Sequence, residues 1–304
     1  MELLVGGPIV QEIARTFDDY WNDPWAFPID QISHIKFEVI NLEGLRKTAQ
    51  LAQNFHVEQS EAERQLSWEL AIAGAHRGQV ALYADRPPTA NPTSIESRPV
   101  QVAQQLMHLI NGAEKDVLIA SAYLIPTPVL EDAIARAVAR GVSVRILTNS
   151  LSSNNHVTAH AAYRNHIRQL LTSGARLHEV RSDAVDRARY ILQPVAKKSL
   201  ALHAKVMAID DTKVFIGSSN LDPRSLRINT EMGLLVTSAS VNRELREKLR
   251  PDYTGANAWE VKLNPKGQIT WQSDNLLRRK QPETSKGRRL EDWFFAHLPI
   301  EGKL

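Results

Sequence analysis

Residues 202–236 hold side chains that together could handle a phosphorus centre. His203, Lys205 and Asp210 stand at the spacing H-x-K-x4-D. A neutral imidazole can attack phosphorus and hold it as a phosphohistidine, while a second, protonated imidazole donates a proton to the departing alkoxide. Histidine suits both roles because it titrates near neutral pH. Lys205 can neutralise phosphate oxygens as a fixed positive charge, so the set is suited to phosphodiester chemistry.

Further polar residues follow in the same stretch. Gly217, Ser218 and Asn220 form the pattern G-S-x-N, and Glu231 comes 11 residues after Asn220. Asn220 can donate a hydrogen bond to the phosphoryl group as charge builds on it. Ser218 is expected to shape the turn, with its hydroxyl available to the phosphate. An acid is also needed behind the imidazole, to fix its tautomer and support its positive form.

A strand is predicted to present the histidine and the lysine together. In the segment LHAKVMAID, alternation puts His203, Lys205, Met207 and Ile209 on one face and the residues between them on the other. His203 and Lys205 therefore point the same way. The strand is the element that positions the chemistry.

This stretch resembles the phospholipase D superfamily. A lone histidine on an apolar strand would be more typical of a core or surface residue, but seven positions agree in register over about thirty residues. The resemblance implies that Glu231, 28 residues after His203, is the carboxylate behind the imidazole. It also implies that Asp210, although part of the motif, holds local structure and does not touch substrate. With those roles, His203, Lys205, Asp210 and Glu231 are the candidate catalytic set.

Within the superfamily, the patterns G-S-S-N-L-D-P-R-S and N-T-E-M-G-L-L-V resemble bacterial cardiolipin synthases. That resemblance implies transfer of a phosphatidyl group from one phospholipid to the hydroxyl of another, commonly phosphatidylglycerol. It implies a bacterial protein peripheral to the inner (cytoplasmic) membrane, with no cofactor and no metal. Ser218, Asn220 and Arg224 are the candidate phosphate-binding or substrate-binding residues, and Arg224 could equally form a local salt bridge.

Composition narrows the class of protein. The chain has 304 residues, enough for one to three domains, and no cysteine, which excludes disulfides and thiolate chemistry. No apolar run reaches the roughly 18 residues of a membrane span, and the first residues show no signal-peptide pattern. The formal net charge of +3 is too mild to indicate nucleic acid by itself, so a nucleic-acid partner is not expected.

The beginning of the sequence resembles a later part of it. Residues 1–10 and 11–20 predict a strand and a helix, and Leu3-Leu4-Val5 matches Leu234-Leu235-Val236 at an offset of 231. Such a match also arises by chance in α/β proteins. In the family, whose two-motif members have two halves, residues 17–29 look like the end of the first half. The sequence would then begin where a first motif had just ended.

The predicted fold is α/β, a phospholipase D-like mixed sheet flanked by helices on both faces. Residues 1–84 are assigned to a remnant of a first half and a helical connector, 85–96 to a linker, 97–275 to the motif-bearing domain and 276–304 to a tail. The linker could also be a surface loop within one domain. Predicted helices are 43–55, 60–73 (opened by a Ser60–Glu63 capping box), 101–110, 128–140 and 156–173, and predicted strands are 80–83, 116–121, 142–148 and 175–180.

Three other features have two interpretations each. The tail mixes basic and aromatic residues, which suits an anionic membrane surface or a solvated loop with a docking helix. Loops after two strands, around Tyr123 and Thr148, either line the substrate entrance or merely connect elements. His156 and His160 are spaced to face one side of a helix, but no further ligand supports a metal, and none is expected.

The mechanism needs two histidines, whereas the sequence holds one H-x-K-x4-D motif. Two copies of the chain could pair as a homodimer, or a missing first-half polypeptide could supply the second histidine, or the chain could be an inactive lipid-binding fragment. The second hypothesis is favoured. The alternative reaction is hydrolysis of phosphodiesters by a homodimeric phospholipase D or endonuclease. An endonuclease would be expected to show a broad basic groove with stacking aromatics, which the sequence does not indicate.

Overall fold

The computed structural model describes residues 2–32, 43–44, 46–47, 60–86, 101–189 and 200–299. Ten strands form one mixed sheet in the order β1-β7-β6-β5-β2-β3-β4-β8-β9-β10. The strands are β1 (Gln79–Ala84), β2 (Asp116–Ser121), β3 (Ser143–Asn149), β4 (Arg176–Val180), β5 (Lys205–Ile209), β6 (Lys213–Gly217), β7 (Met232–Thr237), β8 (Ala258–Leu263), β9 (Ile269–Ser273) and β10 (Leu276–Arg278).

Helices flank this sheet on both faces, which confirms the predicted fold class. They are α1 (Ile9–Trp21), α2 (Ile29–Ile32), α3 (Glu61–Ala73), α4 (Gln101–Asn111), α5 (Pro128–Ala139), α6 (Val157–Thr172), α7 (Pro223–Arg227), α8 (Ala239–Leu249) and α9 (Lys286–Phe295). None of the helices in the described part of the chain combines the length and hydropathy that crossing a bilayer would need.

The centre of the sheet combines parallel and antiparallel strands. β2, β3 and β4 are parallel, and α5 and α6 are the crossover connections that such pairs need. β5 pairs antiparallel with β2 and continues as a meander through β6 and β7. The motif strand β5 is therefore central in the sheet.

β5 contributes one face to each of two hydrophobic cores. Met207 and Ile209 are buried in the core under α4, α5 and α6, whereas Val206 and Ala208 are buried in the core that α8 covers. Each large side chain buried in this way contributes roughly 2 kcal/mol. The predicted alternation is confirmed, and it places Lys205 on the face of Met207.

Most predicted elements match those in the structure within one or two residues at their ends. The Ser60–Glu63 capping box opens α3, and Gly141 and Gly174, both at positive φ, follow α5 and α6. A positive φ strains residues with a Cβ, so glycine suits these helix ends. The predicted helix 43–55 and the linker 85–96 lie mostly outside the described residues.

The strand predicted near the start of the sequence is wrong. Residues 2–6 form no strand in the structure, although the helix after them is present as α1. A strand exists through its backbone ladder, and none of the described strands pairs with this segment. Leu3 instead packs its side chain against the second core, so the Leu-Leu-Val match does not extend to secondary structure.

Segments on either side of residues 97–275 join the same sheet. β1 precedes the predicted linker but pairs antiparallel with β7. β10 follows β9 at the other edge, and α9 packs against α6, where the Asp292 carboxylate is buried. The domain boundaries stay a prediction, while the edge strands show that one sheet includes both flanks.

Candidate active site

The His203 segment is held by a side chain from β3, which β2 separates from β5 in the sheet. Asn149, at the end of β3 and 2% exposed, accepts a hydrogen bond from Leu202 N at 2.8 Å through Oδ1. Its Nδ2 donates to the carbonyl oxygens of Leu202 and Ala122, both at 2.9 Å. These bonds fix the backbone immediately before His203. From the sequence, this strand end is expected to be either a loop at the substrate entrance or an ordinary connection, not an anchor of the histidine.

His203 and Lys205 lie together, as their spacing predicted. Lys205 Nζ lies 3.3 Å from His203 Nε2 and 3.2 Å from the His203 carbonyl oxygen. An ammonium group only donates, so Nε2 is the acceptor, and the neutral imidazole carries its proton on Nδ1. The positive charge of Lys205, followed by partial burial, lowers the pKa of His203. The arrangement favours a neutral imidazole with an available nitrogen lone pair.

Lys205 has an altered environment of its own. Partial burial lowers the pKa of its ammonium, and the carboxylates of Glu231 and Asp222 oppose that effect. These two acids therefore lie close enough to Lys205 to stabilise its charge. The half-buried Lys205 ammonium, next to His203 Nε2, can donate to a phosphate oxygen.

Glu231 is buried and held by two polar neighbours. The Ser218 hydroxyl donates a hydrogen bond to Glu231 Oε2, and Asn229 Nδ2 donates to Oε1 at 3.2 Å. Met232 N donates to Ser218 Oγ at 3.1 Å, which fixes the hydroxyl. Within the part of the chain that the structure describes, no hydrogen bond joins Glu231 to His203. Ser218 thus contacts the carboxylate that was expected to support the imidazole.

Asp85 is a positioning residue that sequence reasoning missed. Its Oδ2 accepts from Glu231 N at 3.0 Å, its own N–H donates to the Glu231 carbonyl oxygen at 2.8 Å, and its Oδ1 accepts from Val102 N at 3.1 Å. Burial is the main cause that raises the pKa of Asp85, and the nearby Glu231 charge adds to it. The pairing of Ala84 with Met232 places Asp85 beside Glu231. No local pattern around Asp85 could have revealed this.

An open cavity of about 310 Å³ lies beside Asn220 of the G-S-x-N pattern. Tyr123, His156, Asn220, Asp222 and Arg224 are among its lining residues. Asn220 Oδ1 is buried without a hydrogen-bond partner among the described residues, and Arg224 forms no ion pair within them. Asp222 caps α7 by accepting from Ser225 N at 2.7 Å, and burial raises its pKa.

Asp210 lies away from Lys205 and the other candidate catalytic residues. It lies at the opposite end of β5 from Lys205, about 16 Å away at the usual rise of a strand. Its backbone has a φ of 48°, and its Oδ1 accepts from the N–H groups of Glu114, Lys115 and Asp116 at 2.7–3.2 Å. Asp210 therefore fastens the β5–β6 turn to the start of β2.

The histidines of α6 have separate environments. His160 is fully buried, with Nδ1 2.6 Å from Asp292 Oδ1, whereas exposed His156 lies against the Tyr123 ring at the cavity. No group of three or more metal-ligating histidine or acidic side chains occurs in the described ranges. His160 serves the packing of α9 against α6.

The match to known proteins covers the motif and the strands around it. A family model described as "Cardiolipin synthase, PLD-like domain" matches residues 106–253, which include the six strands from β2 to β7. Residues 106–253 therefore resemble a phospholipase D-like domain. The matched residues include the motif strand β5, His203 and the buried Glu231.

Relatives of this phospholipase D-like domain include longer proteins. Cardiolipin synthase C of Escherichia coli (strain K12) is 27% identical over 316 residues, covering 99% of this chain and 65% of that protein. Cardiolipin synthase A of Pseudomonas entomophila (strain L48) is 33% identical over 150 residues, covering 49% of this chain and 27% of that protein. A phospholipase D family member from Salmonella typhimurium, Nuc, has a TM-score of 0.43 at 16% identity, covering 60% of this chain and 97% of Nuc. The chain thus spans less than two thirds of the length of these two synthases.

Proposed function

We propose that the phospholipase D-like domain transfers a phosphatidyl group through a phosphohistidine formed at His203. The observation that carries this proposal is the contact of a neutral His203 Nε2 with the Lys205 ammonium. Asp222, whose charge acts on Lys205, lines the same cavity as Asn220 and Arg224. The lowered pKa of His203 favours its role as the nucleophile over that of the proton donor.

The reaction proceeds in two displacements. Nε2 of His203 attacks phosphorus, the bond to the first headgroup oxygen breaks, and a second histidine, protonated, gives its proton to that oxygen. Lys205 neutralises a phosphoryl oxygen while charge builds on it. The second histidine then accepts the proton of the incoming hydroxyl, whose oxygen displaces Nε2 and forms the new phosphodiester.

The proposed substrate is a phospholipid of the phosphatidylglycerol type, and the product is cardiolipin. Similarity to two cardiolipin synthases supports this choice. The cavity adds chemistry that fits: Arg224 can bind the phosphate, and the unpartnered Asn220 oxygen can accept from a glycerol hydroxyl.

The second histidine is proposed to come from another polypeptide, either a first-half partner or a second copy of this chain. Both would place a second motif against the exposed His203. We also propose a membrane-peripheral bacterial location and a division of the chain into residues 1–84, 85–96, 97–275 and 276–304.

The test combines analysis of the reaction product with measurement of the oligomeric mass. Purified chain is incubated with phosphatidylglycerol in mixed micelles, and cardiolipin is quantified alongside the oligomeric mass from light scattering. Activity of a dimer, or activity only after a first-half polypeptide is added, supports the proposal and identifies the source of the second histidine. Phosphatidic acid as the sole product would replace transfer by hydrolysis.

Substitution of the motif histidine gives the sharper result. His203→Ala is expected to lower turnover by at least about a thousandfold, because the covalent intermediate can no longer form. His76→Ala is the matched control, since His76 is exposed and contacts Glu244 on α8. Equal activity of His203→Ala and the wild type would refute the assignment.

A further inference from the structure

A second and larger cavity lies where α6, β9 and α9 meet. Its volume is about 650 Å³, and it shares no lining residue with the cavity beside the motif. Along α6, the nearest lining residues are Ala159 for the first cavity and Arg164 for the second, about 7.5 Å apart along the helix axis. The two cavities are therefore lined by different side chains of the same helix.

The second cavity has a strong excess of positive charge. Its cationic lining residues are Arg164, Arg168, Arg279, Lys280 and Arg289. The acidic lining residue, Asp292, is already contacted by Arg164 at 2.9 Å and by His160. Arg279 and Lys280 are exposed and form no ion pair within the described residues. Clustered cations in a concave site concentrate an anion there.

A buried amide in the same lining lacks a partner. Gln281 is 9% exposed, and neither its Nε2 nor its Oε1 has a hydrogen-bond partner among the described residues. Buried polar atoms are rarely left unpaired, because each one costs desolvation free energy. The amide donates to a phosphate oxygen and accepts from a hydroxyl, so a hydroxyl-bearing phosphodiester would satisfy both atoms.

Exposed apolar side chains lie on α9, which lines this charged cavity, and on β10, just before the lining residue Arg279. Leu290, Trp293 and Phe294 on α9 are 52–66% exposed, and Leu277 on β10 is 59% exposed. Aliphatic side chains do not stack on nucleic-acid bases, whereas a bilayer interface accepts both leucine and aromatic rings. The combination of cations and exposed leucines therefore favours a lipid surface over a nucleic acid.

We propose that this second cavity binds the phosphodiester headgroup of an anionic phospholipid while α9 lies at the membrane surface. The site is separate from His203 and holds lipid without reacting with it. Lipid binding at this cavity can be measured without turnover. The result therefore does not depend on whether the proposed transfer reaction takes place.

The test is partition of the purified chain onto sedimented vesicles. Vesicles of phosphatidylglycerol and phosphatidylcholine are expected to bind the chain, and vesicles of phosphatidylcholine alone are not. The double variant Arg279→Gln/Lys280→Gln is expected to bind roughly thirty-fold more weakly, because two near-surface charges are lost. The double variant Lys213→Gln/Arg243→Gln loses the same charge from exposed positions on β6 and α8 and is expected to bind as the wild type does.

A variant that keeps the net charge distinguishes a defined lipid-binding site from general electrostatic attraction to the vesicle. Gln281→Leu is expected to weaken binding several-fold while leaving the melting temperature unchanged or higher, since the lost amide has no partner in the protein. Equal vesicle binding by wild type and Gln281→Leu would contradict the proposed binding site. Equal losses of vesicle binding in the two charge variants would contradict it as well. Displacement by inorganic phosphate alone, or selective loss of oligonucleotide binding in Arg279→Gln/Lys280→Gln without vesicle binding, would overturn the lipid assignment.

Discussion

At the scale of single residues, the charge on Lys205 controls the protonation of His203. The ammonium is 3.3 Å from Nε2, and its Coulomb effect is the main cause of the lowered pKa of the imidazole. His203 therefore stays neutral to lower pH than a free histidine would. A neutral ring has the lone pair that a nucleophile needs.

Removal of that charge has a predictable effect. Lys205→Met is expected to raise the pKa of His203 towards its ordinary value of 6.5, because the protonated ring no longer faces a like charge. NMR titration of the His203 ring nitrogens in the purified protein measures this pKa. Lys213→Met, at an exposed position on β6, is the control. An unchanged or lower pKa in Lys205→Met would contradict the electrostatic explanation.

At the scale of secondary structure, the functional residues depend on junctions between strands. Asn149 joins the end of β3 to the backbone before His203, and Asp85 joins the end of β1 to Glu231. Each side chain satisfies backbone groups that would otherwise be buried without partners. The site is held in place by the ends of β1 and β3, not by one continuous segment.

Loss of the Asp85 carboxylate tests one junction. Asp85→Ala is expected to lower the free energy of unfolding by about 2–4 kcal/mol, because it leaves the N–H groups of Glu231 and Val102 without their acceptor. Urea unfolding measures the change. Asp211→Ala should cost only about 0–1 kcal/mol, since Asp211 is exposed and pairs with exposed Lys115. Similar losses in both variants would show that Asp85 does not stabilise the junction.

At the scale of the whole molecule, a buried carboxyl joins α6, β4 and β9. Glu179 accepts from the Tyr163 hydroxyl at 3.0 Å and from Trp271 Nε1 at 2.9 Å. Burial raises the pKa of Glu179 to about 7. The native protein therefore holds a proton that the unfolded chain releases near pH 4.5. Its contribution to stability is fully present below pH 4.5 and is lost as pH rises to about 7.

Glu179→Gln removes this pH dependence, because the amide stays neutral and can still accept from Trp271 and donate to Tyr163. Relative to wild type, the variant should gain up to about 3 kcal/mol of unfolding free energy between pH 4.5 and 7. His178, whose pKa burial lowers to about 4, acts in the opposite direction but is present in both proteins. A difference between the two proteins that does not change with pH would refute the prediction.

The sequence by itself determined the motif, the α/β class and most elements from residue 101 onward. His203 and Lys205 could be paired from sequence because a strand repeats every two residues, and Gly141 and Gly174 marked helix ends because glycine tolerates positive φ. These signals are local, since they depend on residues a few positions apart.

Only the tertiary structure decided which distant residues complete the site. Asp85 meets Glu231 across 146 residues, and Asn149 meets Leu202 across 53. The same reasoning failed for Leu3-Leu4-Val5, whose strand-like composition has no backbone partner in the described sheet. Pairing between strands depends on the whole sheet order, and hydrogen bonds between distant segments leave no periodic pattern in either segment.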